Sequence, residues 1–327
     1  MQTSTCPKRM EYGPCGGVRP DLTCEMADLP CPFAASGEVV PWIGPPVAEW
    51  RPDLTKPVIL TDFTVRPYAL DSISTVTAAL AGSCDGVLVG EHHNRPDLPP
   101  TLMTRLLVDA GLPAWITLTC RDRNRVVLEQ ELAGLAVAGA TAVLCVTGDG
   151  RAHDVRPDVT QVFDIDSTRL AALASGTGPL VAVAESPDAP PIALRPGRLR
   201  EKQRAGAQIC LLNHVGSPSR VAAFVDAARA AGVTLPVVAG VAVYTDERSA
   251  QALGLPGLGL DPVAVQRVLN APDPVEAGIA AAVAEARALL RVDGVVGVNL
   301  SGLASGRGEV LGAQIKAAVG NALRDRP

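Results

Sequence analysis

Eight apolar runs stand out in this chain, and their spacing limits its fold more than any other feature. They lie at 58–63 (VILTDF), 86–91 (GVLVGE), 115–120 (WITLTC), 142–149 (AVLCVTGD), 180–186 (LVAVAES), 208–213 (QICLLN), 236–244 (PVVAGVAVY) and 295–301 (VVGVNLS). None alternates with polar residues as a half-exposed strand does, so each reads as a strand buried on both faces. Between them, 71–82, 100–110, 124–138, 217–231 and 274–291 carry apolar residues at helical spacing, and Gly139 and Gly232 stand where helices stop before the next strand. Strands alternating with helices predict an α/β fold, a (β/α)8 TIM-type barrel over residues 58–327, with an open doubly wound sheet as the alternative. No GxGxxG follows the first strand, which counts against a dinucleotide-binding open sheet.

The composition narrows the partners. A net charge of −5 offers no basic face for counterion release, so nucleic acid is not expected. No apolar stretch reaches the roughly 18 residues of a membrane span, and MQTSTCPKRMEYG lacks the basic-then-apolar pattern of a signal peptide. The expectation is a soluble cytoplasmic protein. Its lysines are Lys8, Lys56, Lys202 and Lys316, none at the end of a predicted strand. A Schiff-base aldolase, which needs a desolvated lysine at the barrel mouth, is therefore disfavoured.

The cysteines divide the chain. Cys84, Cys120, Cys145 and Cys210 sit in or beside apolar runs and read as small core residues. Cys6, Cys15, Cys24 and Cys31 fall within residues 1–35, which have too few large hydrophobes for a core and are followed by a proline-rich linker over 36–57. A segment this small needs a cross-link or a metal to stay ordered. Disulfides are disfavoured in the cytoplasm. Four thiolates suit tetrahedral Zn2+, and an iron–sulfur cluster is chemically allowed. Residues 1–35 are thus expected to be a cysteine-rich metal-binding module, with those four cysteines as its ligands and a structural role.

If the barrel forms, function collects at the strand C-termini. There the sequence places Asp62, Glu91 with His92 and His93, Thr117 to Asp122, Asp149, Glu185, Asn213 with His214, Tyr244 and Asn299. Carboxylates and amides together suit a nitrogen heterocycle with donors and acceptors, plus a proton transfer. Adjacent strand residues point to opposite faces, so His92 and His93 do not share a metal, and His92 is read as a substrate contact.

The stretch ITLTCRDRNRVVLEQELAGLAVAGATAVLCVTGDG resembles the third and fourth β/α units of the methylenetetrahydrofolate reductase family. The likeness continues through REKQRAGAQICLLN and AARAAGVTLPVVAGV. CPK…GPCGG…C…C is also similar to a cysteine-rich module found with reductase-like proteins of that family. The resemblance implies an oxidoreductase of folate one-carbon metabolism. It would reduce 5,10-methylenetetrahydrofolate to 5-methyltetrahydrofolate, or run the reverse in a demethylation route, with hydride from NAD(P)H directly or through FAD. It implies Asp62 as the acid that protonates the departing ring nitrogen, and Asp149, Glu185 and Asn213 as pterin contacts. Thr119 and Arg121, with Arg200 and Lys202 of the basic helix, are the expected cofactor contacts; Arg195 and Arg198 share that helix. Thr117, Glu91-His92-His93 and His214-Val215-Gly216 depart from the flavin-dependent pattern, as in members that take hydride directly from the nicotinamide. The alternative is a non-catalytic folate-binding or assembly subunit whose cysteine module docks a redox partner. A homo-oligomer is compatible with either.

Overall fold

The computed structural model describes residues 6–45, 47, 56–91, 96–150, 158–254 and 259–325. Eight parallel strands close into a barrel in sequence order. They are β1 (Val58–Asp62), β2 (Gly86–Val89), β3 (Ala114–Thr119), β4 (Ala142–Val146), β5 (Leu180–Glu185), β6 (Ile209–Leu212), β7 (Val237–Tyr244) and β8 (Val295–Ala304). After a short α1 (Pro32–Ser36), the helices around the barrel are α2 (Leu70–Leu80), α3 (Pro100–Asp109), α4 (Arg125–Ala138), α5 (Ser167–Ala174), α6 (Arg195–Arg204) and α7 (Pro218–Ala230). The link from β7 to β8 holds α8 (Glu247–Gln251), α9 (Pro262–Leu269) and α10 (Pro274–Leu289), and α11 (Glu309–Arg324) follows β8. Of the three helices in that link, only α10 was expected from apolar spacing. Among the described residues no helix is long and apolar enough to cross a membrane.

Two apolar layers hold the barrel. Leu60, Trp115, Leu144, Ala182, Leu211 and Val238 fill its interior. The alternate strand residues, among them Ile59, Val87, Ile116, Val143, Val183 and Cys210, pack under the helices. Because both faces are buried, both are apolar, which is why the runs show no alternation. Cys84, Cys120, Cys145 and Cys210 are buried, as read from the sequence. The helix ends follow local chemistry. Asn124 caps α4 through Val127 N at 3.0 Å, and Gly139 ends it with φ 89°, a conformation that suits glycine.

The N-terminal residues bear on one expectation. Cys6, Cys15, Cys24 and Cys31 are free thiols. Among the described residues no group of three or more His, Cys, Asp or Glu side chains is placed to hold a metal ion. The expected Zn2+ or iron–sulfur site is thus not shown among these residues. The sequence argument assumed that the segment stands alone, whereas it packs on the barrel. Met10, Val18, Cys31 and Phe33 form a small core closed by Leu194, just before α6. Tyr12 packs against Trp42 with its ring tilted by 54° and 5.1 Å between ring centroids, and Trp42 N donates to Glu201 Oε2 of α6 at 2.6 Å. Arg169 of α5 pairs with Glu11 at 2.6 Å. Burial against α5 and α6 is a source of order for this segment that the sequence argument did not count.

Candidate active site

The strands end before their polar tips, and this builds a cavity at the C-terminal mouth. β4 stops at Val146, so Thr147, Gly148 and Asp149 leave the sheet and turn over the barrel. Gly148 has φ 92°, and a Cβ there would meet Thr119 Cβ at 3.3 Å and Arg121 Cβ at 3.1 Å. Conformation and space both demand glycine before Asp149. The cavity, about 310 Å3, is lined by Thr119, Asp149, Ser186 and Asn213 from strand ends and by Lys8 and Cys15 from the N-terminal segment.

Asp149 is exposed on this cavity, beside a buried cation. Lys8, 2% exposed, donates to Gly148 O at 2.7 Å and pairs with Glu25. Burial works against the ammonium charge, but Cys15, Glu25 and Asp149 outweigh it and hold Lys8 above the ordinary lysine pKa. Burial also pushes the Cys15 thiol up, so near neutral pH the carboxylates carry that effect. The sequence reading looked for a mouth lysine only at strand ends, and Lys8 arrives from the N-terminal segment instead. Held protonated, it is not a Schiff-base nucleophile.

Asn213 follows β6 and donates from Nδ2 to Ser186 Oγ at 2.6 Å, which leaves its carbonyl oxygen to the cavity. Glu185 borders the same cavity but is committed elsewhere. Its oxygens meet Lys202 Nζ at 2.8 Å and Arg195 Nη1 at 3.4 Å, and it is 3% exposed. Desolvation would raise its pKa, but Lys202, Arg195 and Arg198 overcome that and lower it. Lys202 is thereby bound to Glu185 and to Ala184 O rather than held out for a cofactor. Arg200 pairs with Glu201 and is not among the residues that line the cavity. Helical spacing foretells this, because residues 195, 198 and 202 share one face of α6 and 200 lies on another.

Of the other expected contacts, Thr119 and Arg121 line the cavity, with Arg121 Nε donating to Asp122 Oδ2 at 3.0 Å. His92 lies outside the described residues. Asp62 is not among the residues that line the cavity. Its Oδ1 accepts from Asn299 Nδ2 at 2.8 Å and its Oδ2 from Gly302 N at 2.9 Å, while its carbonyl accepts from the buried Lys316 at 2.7 Å. The carboxylate that the sequence reading noted at a strand end but did not assign is Glu91. Thr119 Oγ1 donates to it at 2.7 Å, and Arg123 Nη1 reaches both its oxygens at 2.8 and 2.9 Å. A carboxylate immediately after Gly90, past the end of β2, is the signal that could have singled it out.

Comparison with known proteins adds three findings. The family model described as methylenetetrahydrofolate reductase matches residues 87–255, just over half the chain. Curated proteins give no sequence match. Among solved structures, the chain is similar to an uncharacterized protein from Clostridium thermocellum that binds two copies of 5-methyl-5,6,7,8-tetrahydrofolic acid. The identity is 13% over 83% of this chain and 96% of that one, with a TM-score of 0.56. It is also similar to oxaloacetate acetylhydrolase, at 12% identity over 75% of each chain and a TM-score of 0.44. At 13% identity the likeness to the Clostridium thermocellum protein is one of fold.

Proposed function

Since the chain belongs to the methylenetetrahydrofolate reductase family, we propose that it is an oxidoreductase of folate one-carbon metabolism, converting 5,10-methylenetetrahydrofolate to 5-methyltetrahydrofolate. One observation carries the reading. The residues matched by the family run from β2 into the β7–β8 link, so they supply the strand ends that set Thr119, Asp149, Ser186 and Asn213 around one cavity. A reduced folate fits that chemistry, and the Clostridium thermocellum protein of similar fold binds one.

Asp149 accepts from the aminopyrimidine edge of the pterin, and the Asn213 carbonyl takes a ring N–H. The ring-opened methylene intermediate is a cationic iminium, so the carboxylates of Asp149 and Glu91 stabilise it electrostatically. Asp62, two residues beyond the inward-facing Leu60, supplies the proton to the leaving nitrogen; Asn299 and the Gly302 amide hold it in position. NAD(P)H supplies the hydride, directly or through a bound flavin.

The test is a calorimetric titration of the purified protein with 5-methyltetrahydrofolate, followed by NADH and NADPH oxidation with methylenetetrahydrofolate, with and without added FAD. Turnover that Asp149→Ala abolishes supports the proposal. Folate binding without turnover under any of these conditions leaves a binding subunit in its place, and no folate binding removes both.

A further inference from the structure

Lys8 lies outside the residues 87–255 that the family model matches, yet it reaches the wall of the cavity beside Asp149. We propose that Lys8 recognises the 4-oxo group of the pterin, so that the N-terminal segment carries part of the substrate specificity; this rests on the folate reading above and deepens it.

The first support is the donor count. A lysine ammonium has three N–H groups and accepts nothing. Glu25 takes one of them, and Gly148 O takes another at 2.7 Å. The Phe163 ring backs the charge, its centroid 5.5 Å from Nζ. One N–H is left, and the cavity that Lys8 lines is where a further acceptor can meet it. Glu25 is itself held: bare Gly17 leaves room for its carboxylate, and Gly150 N donates to its Oε2 at 3.4 Å. The segment and the turn after β4 thus fix the ammonium together, and a lysine 2% exposed has little freedom to leave.

Position is the second support. Lys8 is bonded to the carbonyl of Gly148, and Asp149 is the next residue, so a cationic donor and an anionic acceptor stand side by side on one wall. The pterin edge is the complement of that pair: O4 accepts, and N3–H beside it donates. With Asp149 on N3–H, the neighbouring O4 needs a donor. Other cations of the lining have partners of their own, Arg195 and Lys202 in Glu185 and Arg121 in Asp122. An amino group in place of the 4-oxo group turns an acceptor into a donor, which a donor-only ammonium opposes. A site built to hydrogen-bond one form discriminates against the other.

Tetrahydrofolate and tetrahydroaminopterin differ only at C4, oxo in one and amino in the other. Calorimetry on the full-length protein gives the ratio of their affinities. Lys8→Met should lower the preference for tetrahydrofolate by about tenfold or more, because the oxo ligand loses a charged donor and the amino ligand is freed of one. A lysine that only ties the segment down would weaken both ligands alike. An unchanged ratio therefore overturns the assignment and leaves the folate reading standing. The wild type gives a second measurement, which decides the matter if Lys8→Met fails to fold. The C4 carbonyl stretch of bound 5-methyltetrahydrofolate, isotope-edited at C4, should fall below its frequency in water, as a carbonyl does on accepting from a cation. A stretch at or above that frequency also overturns the role of Lys8 alone. Failure of the wild type to bind either tetrahydrofolate or 5-methyltetrahydrofolate removes the folate reading and the role of Lys8 with it.

Discussion

Asn299 on β8 donates its side-chain amide to Asp62 at the end of β1 across 2.8 Å, so one carboxylate both faces the barrel mouth and joins the first strand to the last. The two roles separate by substitution. Asn299→Ala removes the clip and keeps the acid, still held by the Gly302 amide; it should cost about 1 kcal/mol of stability and lower kcat far less than loss of the acid does. Asp62→Asn keeps the shape and removes the acid, and should lower kcat by about a hundredfold or more with little change in KM for the folate. Denaturant titrations and steady-state kinetics on both variants check this. Normal turnover by Asp62→Asn would leave Asp62 as a clip alone.

Glu185 and Asp149 both border the cavity, yet opposite outcomes are expected for them. Glu185→Gln leaves Lys202 and Arg195 buried without their carboxylate and should destabilise the fold by about 3–5 kcal/mol. Because the folded pKa of Glu185 lies below its ordinary 4.5, the stability it contributes is present above that value. It is lost as pH falls through the folded pKa, and the variant should lack this acid-side loss. Asp149→Asn alters an exposed group, so stability should hold while the affinity for 5-methyltetrahydrofolate falls by about ten- to a hundredfold. Urea titration across the acid range and calorimetry read the two effects separately.

That contrast marks where the sequence stopped being informative. The eight strands were legible because burial on both faces leaves unbroken apolar runs. The same burial erases the alternation that would reveal which face a residue takes, so Glu185 and Asp149 looked equivalent. Inward-facing Ala182 and Ala184 put Glu185 on the outer face, against α6. Asp149 was readable because the apolar run of β4 breaks into polar residues there. Lys8 was not, since its contact with Gly148 spans 140 positions and has no local signature. The docking of the cysteine segment was illegible for the same reason: the helices it packs on are remote in sequence.

Docking of that segment depends on Arg195. Its guanidinium donates to Ala189 O at 2.7 Å, to Pro14 O at 3.2 Å and to Cys15 O at 2.9 Å, binding the N-terminal residues to α6. Lysine keeps the charge but cannot span the three carbonyls. Arg195→Lys should therefore leave the barrel folded, loosen residues 6–38 and open the cavity wall formed by Lys8 and Cys15. Limited proteolysis with mass mapping should find new cleavage there, and 5-methyltetrahydrofolate binding should weaken in parallel. Unchanged proteolysis would show that the apolar contacts around Phe33 and Tyr12 suffice.

Lys316 gives the pH prediction with the most definite sign. It is buried between α11 and the end of β1, where desolvation lowers its pKa from 10.5 to about 8 despite the opposing pull of Asp62. Between those values the unfolded chain binds the proton more than the folded one does, so stability rises with pH across that window. Below pH 8 both states are protonated, and the buried charge costs about 3 kcal/mol. The thiols of Cys145 and Cys210, pushed up by burial, act in the opposite sense as pH rises, so the quantity to measure is a difference. Wild-type stability minus that of Lys316→Met should increase from pH 8 to 10.5 and be flat below pH 7. A difference that stays constant across the window would mean that the ammonium keeps its ordinary pKa, solvated by more than the single carbonyl of Asp62.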